Sequence, residues 1–409
     1  MNIKSLLLGS AAALVAVSGA RAADAIVMVE PEPVEYVRVC DVYGTGYYYI
    51  PGTETCIRTS GYVRFQYNVA GDPAINDEGD DYEAASRVRA RLNFDVREET
   101  ELGTLRAYVR LQATNTSGAG NGIAMEQAYM QLGGFLAGYR DSMFTSDIGG
   151  IEDGLLTDSD LVVGDFNTNQ ISYTFASGGF SATLGLEDDG TGDIAPDVHG
   201  KLTYTGAWGG VYLSAVYDET FNSDFFDTDN YFIDGIPAVG VDGSNDAVVL
   251  KAGLKLQDLL VADSTFAIEG HWASDPSVYA SIDGIGNVNA IDPNNPTILN
   301  PTPGAVPLLL EWAAGAGYSQ QFGKATAAVS GQYGQTFETT FLTAIDPTTG
   351  LLTFSTGEGD YYSFVGNLGY DLTANMNVLA EVQYTNVDFG GDIGEIDQTR
   401  GFLRFQRNF

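Results

Sequence analysis

An all-β fold, a transmembrane antiparallel up-and-down β-barrel of about sixteen strands, is predicted by three observations. Apolar and polar residues alternate with period two through successive segments of roughly ten residues, the length a tilted strand needs to cross a bilayer. The polar face of neighbouring segments carries arginines at high density, which suits a water-filled lumen. Aromatic residues crowd strand ends, as at Tyr47, Tyr48 and Tyr49 and at Tyr361 and Tyr362, where interfacial girdles are expected. In a soluble sandwich the apolar face would turn inward and sixteen strands would need two packed sheets. In a membrane barrel that face turns out to lipid.

The chain opens with MNIKSLLLGSAAALVAVSGARA. A charged start, an apolar run from Leu6 to Val17 and an A-x-A site make residues 1–22 a secretory signal peptide, the run being too short to span a membrane. Cleavage removes Lys4 and Arg21 and takes the formal charge from −35 to about −37. Residues 23–60 then form an N-terminal segment that starts on the periplasmic side, and residues 61–409 form the barrel. Cys40 and Cys56 lie in this exported segment and are read as a disulfide. No metal site is expected there, because the only histidines, His199 and His271, are far off in sequence. The acidic excess leaves no basic face for nucleic acid, and the aromatic and β-branched content is too high for a disordered acidic chain.

The strands follow in order. GYVRFQYNV (61–69) sets Val63, Phe65 and Tyr67 against Tyr62, Arg64 and Gln66. SRVRARLNFDV sets Val88, Ala90 and Leu92 against Arg87, Arg89 and Arg91, within a strand over 86–97. TLRAYVRLQAT sets Leu105, Ala107 and Val109 against Arg106, Tyr108 and Arg110, within 103–113. The same pattern places strands near 124–132, 134–139, 169–176, 179–187, 198–205, 210–217, 247–257, 264–271, 310–320, 324–334, 360–370, 375–386 and 399–409. Short turns such as LGGF, SGG and QFGK alternate with long loops rich in Asp, Gly, Asn and Pro, so turns lie at one end and loops at the other.

Five stretches carry a family likeness: the signal sequence; PVEYVRVCDVYGTGYYYIPGTETCIRTSGYVRFQY; AYMQLGGFLAGYRDSMF; NQISYTF; and the ending FLRFQRNF. Together they resemble the alphaproteobacterial (Rhizobiales-type) general porins, most strongly over the first ~70 residues and at the end. The resemblance implies an outer-membrane homotrimer embedded in lipid and lipopolysaccharide, and passive diffusion of ions and small hydrophilic solutes. It implies that the loop after the fifth strand folds inward as a constriction, and that the terminal Phe409 is an assembly signal. Arg407 departs from the pattern, standing where an apolar residue is usual.

The inward basic residues are Arg64, Arg87, Arg89, Arg91, Arg106 and Arg110, a ladder up one wall. The loop 140–169 supplies Asp147, Glu152, Asp153, Asp158, Asp160 and Asp165. Facing each other, the two would set a transverse field, with weak selectivity because both signs are present and a mild cation preference from the acidic mouth. Against this stand the bland readings: arginines that merely pair within the wall, and carboxylates on a solvated face.

No enzyme or cofactor is expected. His271 sits beside Glu269 on the polar face, with no G-x-S-x-G to accompany it. A sugar-specific channel would need an aromatic track, yet Tyr67, Tyr173, Tyr217, Tyr333 and Tyr384 face out and only Tyr62, Tyr108 and Tyr212 face in. The acidic runs 76–81 and 187–193 match no calcium-loop spacing and are better suited to divalent ions that bridge lipopolysaccharide.

Overall fold

The computed structural model describes residues 38–71, 74–75, 82–120, 122–159, 163–188, 194–219, 232–233, 236–237, 239–241, 246–258, 261–282, 290–292, 295–300, 308–345, 348–349, 352–391 and 393–409. The signal peptide, Asp160, the acidic run 76–81 and residues 189–193 of the second run lie outside the described residues.

Sixteen long strands close on themselves. They are β1 (Cys56–Gly71), β2 (Tyr82–Thr100), β3 (Gly103–Thr116), β4 (Ile123–Leu132), β5 (Phe135–Asp141), β6 (Asn167–Ser177), β7 (Phe180–Glu187) and β8 (Asp197–Gly206). Then come β9 (Gly209–Asp218), β10 (Ala247–Gln257), β11 (Ser264–Ala273), β12 (Leu308–Phe322), β13 (Ala325–Thr336), β14 (Asp360–Thr373), β15 (Met376–Asp388) and β16 (Glu395–Asn408). Each pairs antiparallel with its sequence neighbour, and β16 returns to β1, with Tyr62 opposite Asn408 and Ala70 opposite Arg400. Closure leaves no free edge, as a bilayer requires of a sheet. All sixteen expected strands are present. β1 starts at Cys56, five residues before the alternation becomes clear.

The barrel is apolar outside. On β1, Val63, Phe65, Tyr67 and Val69 are exposed while Gln66, facing the other way, is only 3% exposed. Exposed Phe135, Phe180, Tyr204, Trp208, Tyr370 and Phe409 gather near the short-turn end, the level where an aromatic girdle meets the interface. Two expected girdle sites are corrected: Tyr47 and Tyr361 are buried inside. Tyr47 belongs to the disulfide loop, and Tyr361 packs in an apolar cluster beneath the long loops.

That cluster explains where alternation stops. At the long-loop end the inner face of β9, β10 and β15 carries Val216, Val249 and Val387, packed against Phe144, Tyr279 and Phe389 of the loops. The wall is dry there, so apolar residues are allowed inside.

Candidate functional site: the lumen constriction

The segment between β5 and β6 folds into the barrel and lies along its inner wall. Ser142 and the Met143 amide donate to Glu187 on β7. Lys201 on β8 donates to the Ser146 carbonyl, and the Thr203 hydroxyl to that of Gly149 (2.8 Å). Lys251 on β10 pairs with Asp153 at 2.7 Å, and Lys255 reaches the Asp153 carbonyl at 2.9 Å. The Gly154 amide donates to Glu269 on β11, and the Asp158 amide to Glu381 on β15, each at 2.8 Å. Asp158 then accepts both terminal nitrogens of Arg404 on β16.

Two glycines on β12 make room for this course. A Cβ on Gly317 would lie 1.6 Å from the Leu155 carbonyl oxygen, and one on Gly315 would lie 2.5 Å from the Leu155 side chain. Leu155, only 1% exposed, thus seats on bare backbone. The next residue, Leu156, has φ 83°, a left-handed conformation that costs a non-glycine residue about 1–3 kcal/mol. The flanking bonds to Glu269 and Glu381 hold it there.

A second latch lies at the long-loop end. The hydroxyl of Tyr279, in the short helical turn Val278–Ala280, lies 2.9 Å from Glu187 and 2.7 Å from Asp197, two carboxylates that share its one proton as acceptors. Burial and these two carboxylates push its phenol well above its ordinary pKa, so it stays a donor. His199 lies 3.7 Å from Glu187, and Phe144 packs edge-on to both His199 and Tyr279.

All six arginines of the ladder share the inner face. Register sets Arg64 opposite Arg89, Gln66 opposite Arg87 and Tyr62 opposite Arg91. On the far side of β2, Asn93 faces Arg110 and Arg97 faces Arg106. Tyrosine rings separate the charges. Tyr62 lies between Arg64 and Arg91, at 4.8 and 5.2 Å, and Tyr108 between Arg106 and Arg110, at 5.0 and 5.8 Å. Tyr129 is shared by Arg106 and Arg140, at 5.3 and 5.1 Å. Each such contact is worth about 0.5–2 kcal/mol, depending on how dry it is, so rings as well as water make the ladder tolerable.

Sequence reasoning missed Asp95. Its carboxylate, 1% exposed, takes two-pronged bonds from Arg97 and Arg106 at 2.8–3.0 Å and has Arg58 at 3.9 Å. Arg106 therefore pairs within the wall. Arg91 does so too, through Gln112 and Glu126 (3.6 Å). Period two from Arg89 through Arg91 to Asp95 and Arg97 would have exposed this cluster.

The described loop carboxylates divide in three. Asp153 and Asp158 bind Lys251 and Arg404, and Asp147 binds Arg140 at 2.9 Å. Glu152 and Asp165 are exposed and help line an open cavity of about 590 Å³ beside the loop. None of the three cationic partners was among the six singled out, although Lys251 and Arg404 follow from strand parity.

Cys40 and Cys56 form the disulfide, with Cα atoms 6.1 Å apart. It folds residues 40–56 onto the inner face of β1 and β2. Tyr47 stacks 4.9 Å from Arg58 and 5.4 Å from Arg97, beside Asp95. The segment thus enters the barrel mouth at the short-turn end.

A closed barrel, apolar outside and charged inside, with a loop drawn into its lumen, defines a transmembrane β-barrel pore of the outer-membrane class. Residues 24–400 match the model of the Porin subfamily, and the chain belongs to that family. Its curated relatives include Porin Omp2b of Brucella suis and of Brucella melitensis, 46% identical over 243 residues, covering 53% of this chain. The chain spans 66% of those relatives' length. Two solved structures share the fold: the outer membrane channel DcaP of Acinetobacter baumannii (15% identity, TM-score 0.58, 88% of this chain and 99% of that one) and the anion-selective porin of Comamonas acidovorans (12%, 0.52, 87% and 100%).

Proposed function

We propose that the protein is an outer-membrane channel for passive diffusion of ions and small hydrophilic solutes, sized and charged by the inward loop and the arginine wall. The observation that carries this is the loop's course: it narrows a closed barrel from within and sets Asp158 on Arg404, next to Arg64 and Arg87 on the wall. Exposed Glu152 and Asp165 on one side and Arg87 and Arg89 on the other give the lumen both signs, hence weak selectivity. The acidic excess of the chain tips it to cations. The tyrosines argue against a sugar slide, because the faces of Tyr62, Tyr108 and Tyr129 are taken by guanidinium groups.

A homotrimer in lipopolysaccharide-bearing membrane is the assembly this reading implies; OmpT of Vibrio cholerae, which shares the fold, has been solved in a trimer form. The test is reconstitution in a planar bilayer under a salt gradient. Large conductance steps in threes with a weakly cation-directed reversal potential are expected. A clear anion preference would overturn the charge assignment, and an absence of steps would overturn the channel itself.

A further inference from the structure

The arginine wall holds more cations than carboxylates to answer them. Among the described residues, Asp95 answers Arg58, Arg97 and Arg106, Glu126 answers Arg91, and Asp158 answers Arg404. Among the described residues, Arg64, Arg87 and Arg89 have no carboxylate within ion-pair distance, Asp158 acting on Arg64 and Arg87 only from farther off. Arg64 donates its Nε to Gln406 at 2.8 Å and lies over the Tyr62 ring. The Nε atoms of Arg87 and Arg89 are buried and have no hydrogen-bond partner among the described residues. Register brings the three together: Arg64 directly across from Arg89, and Arg87 two residues along on the same face. Directly opposed residues have Cβ atoms roughly 5 Å apart, and same-face residues on one strand are about 7 Å apart. Three guanidinium forks thus border one small patch of wall. Arg64 also lines a recess of about 250 Å³ together with Arg404 and Lys324.

Water and the Tyr62 ring make a cluster of this kind tolerable, yet they leave its guanidinium forks open to an anion. Guanidinium forks match oxyanions two-pronged, and three forks around one patch favour a compact dianion. We propose that Arg64, Arg87 and Arg89 form a resting site for a phosphate group, free or as a small phosphomonoester, inside the pore. The proposal rests on the channel reading above, and it adds a saturable step to an otherwise passive path. In a weakly selective pore, a dianion held at the narrowed section fills part of its width and obstructs the current more than it carries it.

The experiment records unit conductance in potassium chloride at pH 8 and fixed ionic strength, replacing chloride stepwise with inorganic phosphate or with glycerol phosphate. The expected result is a saturating block that R87Q/R89Q weakens at least tenfold. Arg89→Lys, which keeps the charge and loses the fork, should weaken it in part. Block by both probes assigns the site to the phosphate group in general; block by inorganic phosphate alone restricts it to the free ion. A conductance that tracks bulk conductivity in either anion, or a block unchanged in R87Q/R89Q, overturns the site. Chloride steps in groups of three from the variant serve as the control for folding. If the wild type gives no steps, it is the channel reading that fails.

Discussion

The two sides of the lumen are built on different plans. The wall of β1–β4 is organised mainly by the side chains of its own strands: arginines in register, tyrosine rings between them, and Asp95 clamping the short-turn end under the disulfide loop. The wall from β7 round to β15 is organised by a loop, whose backbone is bonded by buried Lys201, Glu269 and Glu381 and whose Leu155 sits on Gly315 and Gly317. One side is a surface presented to water. The other is an interior, with a packed core at its long-loop end. On the function proposed above, pore size would be set on the loop side and pore charge largely on the arginine side, and the two should respond separately to substitution.

Gly317→Leu should break the division most severely. No conformation of the loop keeps Leu155 in place once a side chain occupies its seat. Unit conductance should rise roughly twofold, since resistance concentrates at the narrowest section, while reversal potential moves little. An unchanged conductance would mean that the loop does not set the pore's width.

Lys251→Met comes next. The Lys251 side chain is fully buried and that of Asp153 nearly so. Removing one partner of such a pair costs about 3–5 kcal/mol, because the other charge is left dry. The loop should loosen without leaving, seen as open-channel noise and faster protease cleavage between Asp147 and Thr157. Lys251→Met with Asp153→Leu should recover much of the loss.

Arg89→Gln should do the reverse: leave conductance in chloride nearly constant and shift the reversal potential a few millivolts further toward cations. Arg106→Gln should shift it less, since Asp95 already neutralises Arg106. Equal shifts would show that pairing within the wall does not matter to permeating ions.

The same comparison marks what could be read from the chain. Strands, closure and the inner position of all six arginines follow from period two, because lipid on one face and water on the other impose it on every strand. The loop's partners do not follow, because its carboxylates are chosen by where a long irregular segment meets a distant strand: Asp153 finds Lys251 and Asp158 finds Arg404 across 98 and 246 residues. Tyr47 and Tyr361 were misplaced for a related reason. Aromatics at strand ends suit a girdle, but a disulfide turns the first inward and a roof of loops covers the second.

The smallest effect is expected at the barrel's other mouth. The Cys40–Cys56 bridge spans 16 residues, and closing a loop of that length contributes about 3 kcal/mol to holding it folded. That stabilisation is local, because β1 is paired along its length with β2 and β16 whether or not Cys40 is tied to it. C40S/C56S should therefore leave barrel melting almost unchanged while Tyr47 swings off Arg58 and Arg97. Asp95 keeps both arginines, so the charge of the mouth stays the same and only its width grows. With the narrowest section at the loop, as proposed, widening the short-turn mouth should raise unit conductance by a small fraction. Reduction of the wild type should reproduce that rise. A large rise would make the disulfide hairpin a second constriction in series with the first, and would place part of the pore's resistance on the arginine side.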